Sequence, residues 1–219
     1  MENKSKKVGI IGSGNIGGNL GLHLAKAGYE VMFSSRHPEQ LKELADRAGS
    51  NASTGAIMEA AQFGDIIVIS IPFWAMEDLS EEIQGYVEDK LIIDTTNPYP
   101  ERDGGMAQQV RDSSKGSTEF VSDLFPSSYV TKAFNTIYYK YLINEAFKPE
   151  GERFALPYSG NDDRAVEALA SLIDDIGFGG VYVGKLSESK VTDPDQPLYN
   201  KQMSVEEAKN FLEGLKDSL

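Results

Sequence analysis

Six short apolar runs punctuate the chain: KVGIIG, YEVMFS, DIIVISI, KLIIDTT, YVTKAFN and RFALPYSG. Each reads as a strand. Several are apolar at consecutive rather than alternating positions, the pattern of strands covered on both faces in a parallel sheet. Between them the period changes to that of a helix. HPEQLKELADRAG places Leu41, Leu44, Ala45 and Ala48 on one face, with Pro38 suited to a first turn and Gly49 to a stop. NDDRAVEALASLIDDIG repeats the arrangement with Leu169, Leu172, Ile173 and Ile176, acids in its first turn and Gly177 at its end. Ser204 and Glu207 predict a capping box for a last helix carrying Val205, Ala208, Leu212 and Leu215. Strand alternating with helix is the signature of the α/β class. Residues 101–117 and 184–200, rich in Gly, Ser, Asp and Pro, read as two candidate mobile flaps.

Chemistry enters at VGIIGSGNIGGNLG, where six glycines fall within a strand-to-helix transition. Gly12, Gly14 and Gly17 fit the GxGxxG pattern directly after the first strand, and Ile16, Leu20, Leu24 and Ala27 give the next helix an apolar stripe. In such a unit the first glycine makes the tight turn and the second lets a pyrophosphate approach. The third lets helix and strand pack closely, while the helix N-terminus faces the phosphates. The context predicts a Rossmann-type, doubly wound, mostly parallel sheet that binds a dinucleotide. The plainer alternative, a glycine-rich packing turn, leaves Gly18 and Gly21 equally unexplained.

The second strand ends in FSSRHPE, where an acidic residue would hold an unphosphorylated ribose. No acid stands there. Ser34, Ser35 and Arg36 offer hydroxyls and a guanidinium fork suited to a phosphate, so NADP(H) is expected rather than NAD, with His37 as a further donor or a plain helix boundary. Ligands in such sheets sit beyond the strands' carboxyl ends. Ser70, Ile71, Pro72, Thr95, Thr96, Asn97, Pro98 and Asn135 fall at such ends. Asn97 and Asn135 are candidates to orient a carboxamide or carbonyl, or else are turn residues bonded to backbone. Phe73 and Trp74 either flank an aromatic acceptor or cover the sheet. Lys132 is read as a strand's solvent-edge lysine or as the holder of an acceptor's phosphate, and Tyr138, Tyr139 and Tyr141 as packing residues or as hydroxyls within reach of an acceptor.

Composition narrows the partners. The 219 residues, 40% of them hydrophobic, suit one domain over 1–219, with a core at about 7–135 and an extension at about 136–219 packed on the same sheet. A formal net charge of -13 argues against nucleic acid and acidic membranes. The absence of cysteine removes thiol nucleophiles and thiolate metal sites. No His or Asp cluster has ligand spacing, so no metal is expected. MENKSKK is basic, but the apolar run after it is short, so neither a signal peptide nor a spanning helix is expected; the default is a soluble cytoplasmic protein.

The series VGIIGSGNIGGNLGLHLAKAGYEV, SSRHPE, DIIVISIPF, IIDTTNP and VTKAFNT resembles the deazaflavin-dependent NADP oxidoreductase family in order and spacing. The resemblance runs from Val8 to about the final helix. It implies additional C-terminal strands, a frequent homodimer, and hydride moving between NADPH and a deazaflavin or flavin-like small molecule. It places Ser13 and Asn15 at the pyrophosphate, Ser35 and Arg36 at the 2'-phosphate, and Ile71 and Pro72 at the nicotinamide. KAFNT matches the broader bacterial relatives rather than the archaeal enzymes, which leaves the acceptor less defined than the donor. Two relatives are set aside on expected length: pyrroline carboxylate reductase, with its C-terminal helical domain, and the membrane ferric reductases as whole proteins.

Hydride transfer between stacked rings needs positioning more than acid-base chemistry. No catalytic acid is therefore named, and Pro72, Asn97 and Asn135 are positioning candidates. His23 is expected on the surface. The pair Tyr86 and Lys90, spaced as in short-chain dehydrogenases, precedes a strand and so belongs to the opposite edge of the sheet. Two other functions stay open: reduction of a small carbonyl or imine, which requires a proton donor, and a non-catalytic NADP(H)-sensing protein.

Overall fold

The computed structural model describes residues 6–216, so the first five residues of the basic start and the last three of the chain lie outside the described residues. The strands are β1 (Lys7–Ile11), β2 (Glu30–Ser34), β3 (Ala52–Gly55), β4 (Ile66–Ile69), β5 (Leu91–Asp94), β6 (Tyr129–Lys132), β7 (Ala155–Gly160) and β8 (Gly179–Gly184). The helices are α1 (Gly17–Lys26), α2 (Lys42–Ala48), α3 (Ile57–Phe63), α4 (Met76–Ile83), α5 (Pro100–Asp112), α6 (Ser117–Leu124), α7 (Tyr139–Asn144), α8 (Asp163–Asp175) and α9 (Val205–Lys216). One eight-stranded sheet runs in the order β3-β2-β1-β4-β5-β6-β7-β8. Its neighbours are parallel except β6 with β7. The order reverses between β1 and β4, which opens a crevice at their carboxyl ends. This is the Rossmann-type, doubly wound, mostly parallel architecture with added C-terminal strands and a terminal helix.

The consecutive apolar positions have a direct cause. In β4, Ile66 and Val68 pack in one layer with Leu20 and Leu24 of α1, while Ile67 and Ile69 pack in the other with Leu79 and Ile83 of α4. Each such fully buried aliphatic side chain contributes roughly 1.5–3 kcal/mol. Asp162 caps α8 by accepting from the N–H groups of Arg164 and Ala165 at 3.1 and 3.0 Å. At α9 the expected capping box forms: Ser204 N–H donates to Glu207 Oε2 at 2.8 Å, and Glu207 N–H donates to Ser204 Oγ at 3.3 Å. Those hydrogen bonds from Ser204 hold the Glu207 carboxyl below its usual range.

Several expectations are corrected. ASTG and GGVYVG are strands β3 and β8, which their short or glycine-rich sequences do not announce. Residues 101–117 are not an irregular loop. They form α5 and the start of α6, anchored by buried Asp103, Ala107 and Val110, with a bend at Gly104 (φ +71°). Residues 184–200 are likewise tied down: a 3-10 turn at Leu186–Thr192 buries Leu186, Ser189 and Thr192, and Leu198 is fully covered. His23 is half-buried rather than free at the surface. Its Nε2 donates to the Leu142 carbonyl at 2.8 Å and its ring stands edge-on to Phe147, so it pins α1 to α7. Burial there lowers its pKa, against the opposing effect of that hydrogen bond. Lys90 lies where expected, just before β5, with Nζ donating to the Ala61 carbonyl at 2.8 Å.

Candidate functional site: a crevice across the sheet

The glycines after β1 serve two distinct purposes. Gly12 turns the chain with φ +92°, and a Cβ there would come within 2.3 Å of the Ser70 carbonyl oxygen. A Cβ at Gly17 would lie 2.1 Å from the Gly12 oxygen, and one at Gly21 would lie 2.2 Å from the Phe33 ring. These three are glycine because the protein itself leaves no room. Gly14 differs: a Cβ there meets nothing within 4 Å. Its backbone faces open space. The N–H groups of Gly14, Asn15 and Ile16, immediately ahead of α1, have no acceptor among the described residues. Unpaired amides at a helix start, beside a bare glycine, fit an anionic pyrophosphate.

One cavity, of about 420 Å³, runs from this turn toward the end of β2 and is lined by Gly12, Gly14, Ser35, Arg36, Ile57, Ser70, Ile71, Pro72, Trp74 and Leu79 among others. Arg36 is exposed and has no hydrogen bond or ion pair among the described residues. Ser35 Oγ accepts from the His37 N–H at 3.0 Å, and His37 lies outward, 3.5 Å from Glu39. Ser34 is corrected. It is fully buried and its hydroxyl donates to the Ile10 carbonyl at 2.8 Å, tying β2 to β1 rather than offering a free donor. The Ser13 hydroxyl is similarly engaged, with the Ser34 carbonyl at 3.1 Å. Ser70 Oγ accepts from the Gly17 N–H at 3.1 Å and so braces the turn from β4.

A second cavity, of about 370 Å³, shares Gly14, Ser70, Ile71 and Pro72 with the first and continues over the ends of β5 and β6. Its walls include Asn15, Ile16, Thr95, Thr96, Asn97, Phe134, Asn135, Ile137, Tyr138 and Tyr139. Thr95 is buried with its hydroxyl donating to the Ile69 carbonyl at 3.0 Å, so it shapes the wall without presenting that donor. Asn97 and Asn135 come together: Asn97 Nδ2 donates to the Asn135 carbonyl at 2.9 Å, and Asn135 Nδ2 donates to Thr192 at 2.7 Å. Asn135 Oδ1 is buried without a partner among the described residues. Phe134, fully buried between them and β6, has φ +63°, a left-handed conformation unusual for a bulky side chain and the kind of strain found at ligand sites. Phe73 is fully buried against Phe120 and covers the sheet; Trp74 is exposed on the first cavity.

Lys132 is corrected on both of its expected readings. It is neither at a solvent edge nor free to meet a ligand, being 1% exposed. Its Nζ donates to Asp94 Oδ2 at 3.0 Å, to the Thr96 carbonyl at 2.6 Å and to Ser117 Oγ at 3.0 Å. Asp94 also accepts from Thr118, so this buried pair locks α6 beneath the loop that follows β5. The residues missed from the sequence lie on that loop and on a distant one. Tyr99 and Tyr199 line the second cavity with their hydroxyls bonded to each other, and Arg102 lines it beside them. Burial first, then the hydroxyl of Tyr199, raises the pKa of Tyr99. The signal available was local: NPYPERD continues a strand-end motif into Pro100, a helix-starting proline, followed by acids.

A bare-backbone turn at the sheet's switch point, with a cation at one end and an aromatic cavity at the other, defines a dinucleotide-binding protein of the Rossmann class. Residues 7–98, which carry β1 to β5, match the family described as NADP oxidoreductase coenzyme F420-dependent. The chain is thus of the NADP-dependent oxidoreductase class. An F420-dependent NADP reductase of Methanothermobacter thermautotrophicus is 28% identical over 204 residues, covering 88% of this chain and 87% of that protein. The Metalloreductase STEAP3 of Rattus norvegicus is 27% identical over 190 residues, which are 85% of this chain but 36% of that protein. A solved structure, the hypothetical protein SMa0349 of Sinorhizobium meliloti, shares the fold with a TM-score of 0.77 and 27% identity, covering 93% of this chain and 97% of that one. Among the described residues no helix is long and apolar enough to cross a membrane, and no group of three or more His, Asp or Glu could hold a metal.

Proposed function

We propose that the chain transfers hydride between NADP(H) and a deazaflavin or flavin-like acceptor. The observation that carries this reading is the continuity of the two cavities through Gly14, Ser70, Ile71 and Pro72. In it, the N–H groups of Gly14, Asn15 and Ile16 hold the pyrophosphate, while Ser35 and Arg36 meet the 2'-phosphate and His37 stays outside the cavity beside Glu39. Ser70, Ile71, Pro72, Thr95 and Asn97 bound the place of the reactive ring. NADP(H), when bound, supplies or takes up the hydride. The protein's part is positioning: Pro72 limits one side, and the linked Asn97 and Asn135 fix the other. The acceptor is met at stacking distance without a dedicated acid. The family match of residues 7–98 and the resemblance of the sequence motifs to a deazaflavin-dependent group support the acceptor class.

A second reading, reduction of a small carbonyl or imine, is favoured by the Tyr99–Tyr199 hydroxyl pair, which supplies the proton donor that the sequence does not reveal. The use of NADPH further supports a cytoplasmic setting. Exposed Tyr182 on edge strand β8 and Phe211 on α9 support a homodimer, which light scattering tests. Anaerobic oxidation of NADPH against deazaflavin, FMN, FAD, quinones and small carbonyls separates the readings. Turnover with the tricyclic acceptors is expected. Turnover with carbonyls alone transfers the reading to the second, and tight NADPH binding with silence throughout marks a sensor instead.

A further inference from the structure

We propose that Arg102 is the receptor for an anionic substituent of the acceptor, so that the second molecule bound in the crevice is an aromatic compound carrying a phosphate or carboxylate. The inference rests on the proposed oxidoreductase reading and deepens it. Among the residues that line the second cavity, Arg102 alone carries a formal charge. The chain bears a net charge of -13, which disfavours anions in general, so a single guanidinium set among neutral walls is the local exception.

The guanidinium is held in place before any ligand arrives. Its Nε donates to Asp103 Oδ1 at 2.9 Å and its Nη2 to Asp103 Oδ2 at 2.8 Å, the bidentate geometry that fixes the plane of the group. Nη2 also donates to the Asn97 carbonyl at 2.9 Å, which ties Arg102 to the amide pair of the site. The guanidinium lies 5.0 Å from the centre of the Tyr99 ring. Nη1 has no hydrogen-bond partner among the described residues, and the Arg102 side chain is 44% exposed. Asp103, by contrast, is saturated: besides Arg102 it accepts from the N–H of Tyr99 at 2.8 Å and of Trp74 at 3.4 Å. The carboxylate therefore orients the arginine while leaving one edge of it for another oxyanion. Lys132 cannot serve this purpose, because it is buried and fully engaged with Asp94, Thr96 and Ser117.

Two matched pairs of probes, bound to the protein saturated with NADP, test the proposal by flavin fluorescence. FMN against riboflavin differs by a phosphate, and lumiflavin-3-acetate against its methyl ester differs by a carboxylate. In the wild type the anionic member of at least one pair is expected to bind about tenfold to a hundredfold more tightly. That gap closes in Arg102→Gln, reopens in part in Arg102→Lys, and narrows in the wild type as ionic strength rises. Equal affinity within both pairs, a gap that survives in Arg102→Gln or ignores salt, or binding of no probe overturns the proposal. The salt series needs no variant, so a failure of Arg102→Gln to fold does not blunt the test. NADPH titration by calorimetry runs alongside; absence of that binding overturns the underlying oxidoreductase reading instead.

Discussion

The two halves of the crevice each contain one arginine, and the protein treats them in opposite ways. Arg36, beyond β2, is exposed and unpaired among the described residues, so its side-chain freedom is surrendered only when a ligand binds. Arg102, at the head of α5, is already oriented by the bidentate Asp103 carboxylate and the Asn97 carbonyl. On the proposed reading, Arg36 meets the cofactor's distal end, where a flexible cation is tolerated, and Arg102 stands nearer the reacting ring, whose position sets the distance of hydride transfer. The third cation of the region, Lys132, is entirely internal and belongs to the scaffold under both.

Removing that scaffold gives the largest effect. Lys132→Met leaves Asp94 buried without its partner and is expected to cost about 3–5 kcal/mol in urea unfolding, with the preference for NADPH over NADH unchanged in whatever fraction folds. A changed preference would place Lys132 in the binding machinery after all. Arg36→Ala comes next: the NADPH dissociation constant rises by about tenfold to a hundredfold, while NADH is spared, as calorimetry would show. Equal loss for both nucleotides removes Arg36 from the 2'-phosphate.

Asp103→Asn frees Arg102 without deleting it. The acceptor's KM is expected to rise several-fold with NADPH affinity unchanged; a fall in kcat alone points to a purely structural role. Burial pushes the Asp103 carboxyl up, but its hydrogen bonds from Arg102 and from the Tyr99 N–H outweigh this and hold it below its ordinary value. Its stabilising contribution is accordingly present above the usual carboxylate pKa and is lost as pH falls through the lowered one. The variant should lack that acid limb. The smallest effect is expected at His23, remote from both arginines. Its lowered pKa means that stability is present above about pH 6.5 and is lost as pH falls through the folded value, since the unfolded chain takes up the proton first. His23→Gln should flatten the melting temperature over that window, and a Tm that keeps its slope assigns the titration elsewhere.

The sequence made the cofactor half readable because its requirements are local. Gly12 needs a positive φ, the strands beside it need apolar residues on both faces, and Arg36 follows its strand by two positions; neighbouring residues report all of this. The acceptor half was only partly readable. Asn97 and Asn135 were placed correctly at strand ends, yet their mutual hydrogen bond spans 38 positions and depends on β5 and β6 being adjacent. Composition misled at residues 101–117, where glycines and acids suggest a loop. The carboxylate of Asp103 instead satisfies the N–H of Tyr99 ahead of α5, and burial of Ala107 and Val110 supplies the rest.

The amino-acid sequence by itself determined the alternation of strand and helix, the glycine turn and the place of Arg36 just beyond β2, since periodicity and backbone freedom are carried by near neighbours. Tertiary structure alone decided that Lys132 faces Asp94 rather than a ligand, that Tyr199 meets Tyr99 across 100 positions, and that Arg102 stands beside the amide pair. Those choices depend on which strands become neighbours and which carboxylate each cation reaches, and no local pattern encodes either.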